Sequence, residues 1–136
     1  MFGFTLPPEL LAEKERAHTF AEKIMRPVAR KYDETGEWAT DVYQKAFEFG
    51  FLQALVPENC GGPGASQMQE TIVCEELSWG CAGLYTSIMA NGLAMTPLLV
   101  AASPEQKTSG WACWRRNRSS PPFPCPSPTP VPMPAA

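Results

Sequence analysis

Three closely spaced glycines, Gly61, Gly62 and Gly64, interrupt the chain near its middle. Helix does not pass through such a run, because glycine opens backbone angles that a side chain forbids. A new helix must therefore start beyond it. Ser66 is placed to cap that helix, and Glu70 lies early enough in it for a carboxylate to meet the positive end of the helix dipole. Met68, Ile72, Val73 and Leu77 recur at helical spacing opposite Gln69, Glu75, Glu76 and Ser78, and Gly80 and Gly83 bracket the end. The pair Glu75 and Glu76 reads as a solvated face. From Leu84 through Tyr85, Ile88, Met89, Leu93 and Met95 no charge interrupts the chain until Pro97 ends the pattern. A helix of that composition is expected to be buried on most sides, and at about a dozen residues it is too short to span a bilayer.

Upstream, Thr5 is placed to cap a helix whose first turn holds Pro7 and Pro8, where a missing N–H costs nothing. Leu10, Leu11, Ala17, Ala21, Ile24 and Met25 form its apolar stripe, and Pro27 must kink or stop it. After a turn at residues 33–36, Thr40 or Asp41 caps a third helix that closes at Gly50. The apolar run Phe51 to Val56 has no second strand to pair with and is read as a buried extended connection. Beyond Pro97 a short helical segment spans residues 98–102. Ser103, Pro104 and Glu105 begin another that is not expected to develop.

A formal net charge of -3 offers no basic surface for a nucleic acid. There is no charged-then-apolar leader, no arginine-rich transit segment and no apolar run of membrane length. The expectation is a soluble protein with neither nucleic-acid nor membrane partners. The five cysteines are odd in number and lack CxxC spacing, so free thiols and no metal site are expected. His18, the sole histidine, reads as a surface or half-buried side chain rather than a base or ligand. No GxGxxG follows a strand, so a phosphate cradle is not expected.

The run PENCGG, then EELSWGCAG and ANGLAMTP, resembles the N-terminal helical domain of flavin-dependent acyl-CoA dehydrogenases, nearest to the medium-chain type. RPVARKYDETGEW, FEFGFL and SPEQK extend the similarity over residues 1–107. The resemblance implies an all-α helical bundle domain that packs on a β-domain and a C-terminal helical domain, with FAD and the thioester held between them. It implies oxidation of fatty acyl-CoA thioesters at the α,β-carbons, as in fatty-acid β-oxidation. The partners it implies are acyl-CoA and an electron-transfer flavoprotein, and the intact enzyme is expected to be a homotetramer. The compartment is the cytoplasm in a bacterium or the mitochondrial matrix in a eukaryote. The family's base lies in the C-terminal domain, so no catalytic, cofactor-binding or metal residue is assigned to this chain. Met89, Ala90 and Leu93 match positions that line the far end of the acyl pocket. Ordinary core packing is the competing account of those three.

From Thr108 the composition changes to an arginine cluster and alternating prolines, without helical period. One reading is a disordered proline-rich tail, residues 108–136, that binds a partner while the helices act as a non-catalytic interaction module. The other is an out-of-frame tail on a truncated dehydrogenase. Trp111 with Ala112 forces the shifted codon GGC, a glycine, and Met133 with Pro134 forces an alanine. With synonymous choices elsewhere, the reread string contains EPDAGSDAG, close to the segment that succeeds EQK in the family. We prefer the frameshift, placed near Lys107.

Overall fold

The computed structural model describes residues 5–60 and 62–116. Among them every regular element is helical. Helix α1 (Pro8–Phe20) passes through a π-helical turn (Ala21–Met25) into α2 (Arg26–Thr35) without a break. Pro27 therefore does not stop the helical path; the irregularity it was expected to bring is the π-helical turn just before it. The wider turn, in which the Arg26 N–H bonds the Ala21 carbonyl, carries the path through a proline that has no hydrogen to donate. Thr5 does not act as the cap: Pro7 holds that position with no side-chain bond.

Helix α3 (Thr40–Glu48) follows from Ala39, so neither Thr40 nor Asp41 is its cap. Phe51–Gln53 is then a 3-10 turn and not an extended connection, because Gly50 takes a left-handed conformation (φ 82°) that turns the chain sharply. The burial expected of this run holds at Phe51, Leu52 and Val56.

Helix α4 (Gln67–Gly80) begins as expected at Ser66. The Gln69 N–H donates to Ser66 Oγ at 3.2 Å, and the Ser66 N–H donates to Gln69 Oε1 at 2.7 Å, a reciprocal capping box. Its far end packs against the π-helical turn after α1 so closely that a Cβ on Gly80 would lie 2.7 Å from the Cβ of Ala21. Only a glycine permits that approach.

Helix α5 (Ala82–Ala101) runs straight through Pro97. The carbonyl that loses its partner there belongs to Leu93, which is 76% exposed, so water can take the bond. At 20 residues α5 is long and apolar enough, by length and composition, to cross a membrane, against the shorter helix expected. Nor is it buried on most sides: Leu84, Ile88, Asn91 and Met95 face the core, whereas Val100 is 80% exposed. Asn91 anchors the buried side, donating to the Tyr43 hydroxyl at 2.7 Å and to the Ile88 carbonyl at 3.2 Å. An amide bonded into a protein core marks a core-packed helix.

Helix α6 (Pro104–Arg116) does develop and crosses the 107/108 boundary. Gln106 N donates to Ser103 Oγ and Ser103 N to Gln106 Oε1, and no proline follows before Pro121, so nothing breaks the first turns. The expectation for residues 117–136 lies outside the described residues.

The core joins Ala17, Phe20, Ala21 and Met25 to Val42, Ala46, Phe51, Val73, Leu77 and Ile88, so α1, α3, α4 and α5 share one apolar interior. A satellite cluster of Val56 and Met95 with Leu98 and Leu99 supports the second half of α5.

Candidate functional site

Two helices build the site, and one glycine shapes it. Met89, Ala90 and Leu93 lie on adjoining turns of α5. Met89 and Ala90 are half-buried, while Leu93 points away from the core. Core packing thus does not account for Leu93. A Cβ placed on Gly92 would sit 3.5 Å from Glu70 Oε1, 3.7 Å from Leu55 Cδ1 and 3.7 Å from Met89 Cε. Glu70, Leu55 and Met89 therefore converge over a spot that glycine leaves open.

Glu70 is a member of the site that sequence reasoning misses. Its Oε2 is buried without a hydrogen-bond partner, and burial pushes its carboxyl above the usual range. Desolvation of this kind disfavours the charged form. One turn along α4, Cys74 Sγ lies 3.9 Å from Met89 Sδ. Burial raises the Cys74 thiol, so it is a poor nucleophile. The hydroxyl of Tyr85, hydrogen-bonded to Cys74 and partly buried, is pushed up to about 12. The result is an apolar and sulfur-rich surface with one part-buried, incompletely bonded carboxyl. It can contact an aliphatic chain; it holds no activated nucleophile or paired base. The signal available in advance was the i, i+4 spacing of Glu70 and Cys74 on one face of α4.

His18 and Glu76 form a second cluster. Glu76 is 6% exposed and accepts from Lys14 Nζ at 3.2 Å and from His18 Nδ1 at 2.6 Å. It is not on a solvated face, as expected of it; Glu75 is. Burial pushes the Glu76 carboxyl up, but the bonds from His18 and Lys14 outweigh it and hold it below the usual range. The His18 ring stacks on Trp79 at 4.3 Å, and the Arg26 guanidinium lies 4.3 Å from the centroid of the same indole. This cluster ties α1 and α2 to α4, and both Glu76 oxygens are engaged by protein.

Residues 7–109 match the family model for the acyl-CoA dehydrogenase N-terminal domain. The chain belongs to the acyl-CoA dehydrogenase family. It is 38% identical over 88 residues to the probable medium-chain specific acyl-CoA dehydrogenase 2, mitochondrial, of Caenorhabditis briggsae, covering 65% of this chain and 22% of that protein. It is 35% identical over 106 residues to the 3-(aryl)acrylate reductase of Clostridium sporogenes, covering 76% and 27%. The fold is shared with butyryl-CoA dehydrogenase from Megasphaera elsdenii (TM-score 0.71, 23% identity, 79% of this chain and 29% of that one). It is also similar to a structure described as the electron transferring flavoprotein of Acidaminococcus fermentans, with TM-score 0.74, 29% identity and coverage of 82% and 30%. This chain thus spans about a quarter of the length of these relatives, and the similarity lies in the family's N-terminal helical domain.

The described residues do not fit a flavin by themselves. The Gln69 amide at the start of α4 is already taken by Ser66, and the cleft between α2, α3 and α5 holds about 220 Å³, below the usual range for a cofactor-sized ligand.

Proposed function

We propose that the chain is the N-terminal helical part of a flavin-dependent acyl-CoA dehydrogenase, cut short by a frameshift near Lys107 and inactive alone. In the whole enzyme α5 forms the wall at the far end of the acyl cavity through Met89, Ala90 and Leu93. FAD supplies the hydride acceptor, with the substrate an acyl-CoA thioester and the electron acceptor an electron-transfer flavoprotein. The observation that carries the reading is the open side of α5. Leu93 and Val100 are 76% and 80% exposed on a helix with no charged residue. A surface of that kind is one that another part of a larger protein, or an apolar ligand, covers.

Two measurements test this. FAD titrated into the purified chain should give no stable yellow complex and no bleaching on addition of acyl-CoA. A flavin-loaded, acyl-CoA-reducible fragment would overturn the inactivity. The nucleotide sequence should continue, one base out of register, into the family's β- and C-terminal domains. If no such frame exists, the proline-rich segment belongs to the protein and the interaction-module reading replaces this one.

A further inference from the structure

A second cleft lies away from the face shared by α4 and α5. It opens where the end of α2, the loop at residues 36–39, the first turn of α3 and the start of α5 meet, and it encloses about 220 Å³. Three aromatic rings wall it: Tyr32, Trp38 and Tyr43. Trp38 is 42% exposed, with its ring centroid 5.5 Å from that of Tyr43 and tilted by 52°, so the two rings form adjoining walls. Leu84 and Ile88 close the apolar floor.

We propose that this cleft binds a small organic cation of the alkylammonium class. Two of its three rings are fixed before any ligand arrives. The Tyr32 hydroxyl donates to Asp41 Oδ1 at 2.5 Å, and the Tyr43 hydroxyl accepts from the buried Asn91 at 2.7 Å. Preorganised walls remove an ordering cost from binding. The lining carries the carboxylates of Asp33 and Glu37 and no lysine, arginine or histidine. Aromatic faces attract a cation through the ring quadrupole, most strongly where water is displaced. One ring already shows that preference: the Lys31 ammonium, not part of the lining, sits 4.9 Å from the Tyr32 centroid. Trp38 and Tyr43 have no cation at their faces among the described residues.

Size and polarity narrow the class. The volume is below the roughly 300 to 1,000 Å³ of sites for drug-sized molecules, so the cleft takes a single headgroup rather than a nucleotide or an acyl-CoA. Cys81 and Gly83, at the start of α5, also line the cleft. Asp33 and Glu37 belong to the α2 side, so the charge is drawn among the rings. An anion would meet the two carboxylates, whereas a cation is drawn toward them.

The test is calorimetric titration of the 136-residue chain with choline and tetramethylammonium, and with 3,3-dimethylbutan-1-ol, the uncharged isostere of choline. Both cations are expected to bind saturably and the alcohol to bind at least about tenfold more weakly. Trp38→Leu should weaken choline about tenfold while leaving the helical circular dichroism unchanged, since Trp38 is a surface side chain. Trp38→Phe, which keeps a ring, should recover much of the loss. Equal binding of choline and its isostere would overturn the proposal in favour of a plain apolar cleft. Absence of saturable choline binding by the helical chain, or undiminished binding to Trp38→Leu, would overturn it outright.

Discussion

Removal of the Glu76 carboxylate should loosen the α1–α4 seam, and its size follows from who is left behind. In Glu76→Ala the lost acceptor serves two charge-assisted bonds, to Lys14 Nζ and His18 Nδ1. Stranding the partner of a fully buried pair costs about 3 to 5 kcal/mol. Here the Lys14 and His18 side chains are 42% and 43% exposed and can turn to water. The expected cost is therefore lower, about 2 to 3 kcal/mol for the two bonds together. In a helical unit of this size that is roughly 10 to 20 °C in Tm, read by far-UV circular dichroism. The pH dependence supplies an internal control. Glu76 is held below the usual carboxylate range. Its contribution is thus fully present above the unfolded value of about 4.3 and lost as pH falls through the folded one. The Tm gap between wild type and variant should close in acid. A gap of under about 2 °C at neutral pH, or one that persists unchanged in acid, would refute an ionised Glu76 as the tie between the helices.

The contrast between Ser66 and Glu76 shows what in this fold was legible from sequence. The capping box at Ser66 is a contact between residues three apart, so local chemistry alone determines it. Glu76 looks like its neighbour Glu75 until α1 passes over one and not the other, bringing His18 from 58 residues away. Pro97 failed as a stop signal for a related reason. The cost of a proline in a helix depends on whether the freed carbonyl meets water, which is a property of the assembled surface. The same applies at the candidate site. Resemblance to a family marked out Met89, Ala90 and Leu93, but Glu70 read as a helix-start residue because only the fold shows it beside Gly92, with one oxygen buried and unpartnered. Resemblance to a family located the helix, whereas the carboxyl near it required coordinates.

Gly80→Ala should destabilise the chain by about 1 to 3 kcal/mol in a thermal melt, since the new methyl meets Ala21 at 2.7 Å; an unchanged Tm would show that the π-helical turn and α4 can slide apart freely. Leu93→Ser with Val100→Ser should reduce self-association in sedimentation or light scattering, because both residues lie on the open side of α5; unchanged association would place the contact elsewhere. In the whole enzyme Met89→Ala should shift kcat/KM between acyl chains two carbons apart by roughly tenfold toward the longer, at about 0.8 kcal/mol per methylene; a flat profile with a lowered Tm would make Met89 a core residue only. Glu70→Gln is the substitution whose sign runs opposite to that at Glu76. Burial raises the Glu70 carboxyl, and its Oε2 has no bond to offset the desolvation of a charge. Below the unfolded value of about 4.3 both states are protonated and ionisation costs nothing; as pH rises through the higher folded value the penalty grows to its full size and stays. Glutamine keeps the shape and removes the ionisation. The variant should therefore match wild type in acid and be the more stable of the two at neutral pH, so that its advantage appears only as pH rises. A variant that loses stability at neutral pH would mean that ionised Glu70 has a favourable partner in the fold, and the desolvation argument for the site beside Met89 would fail.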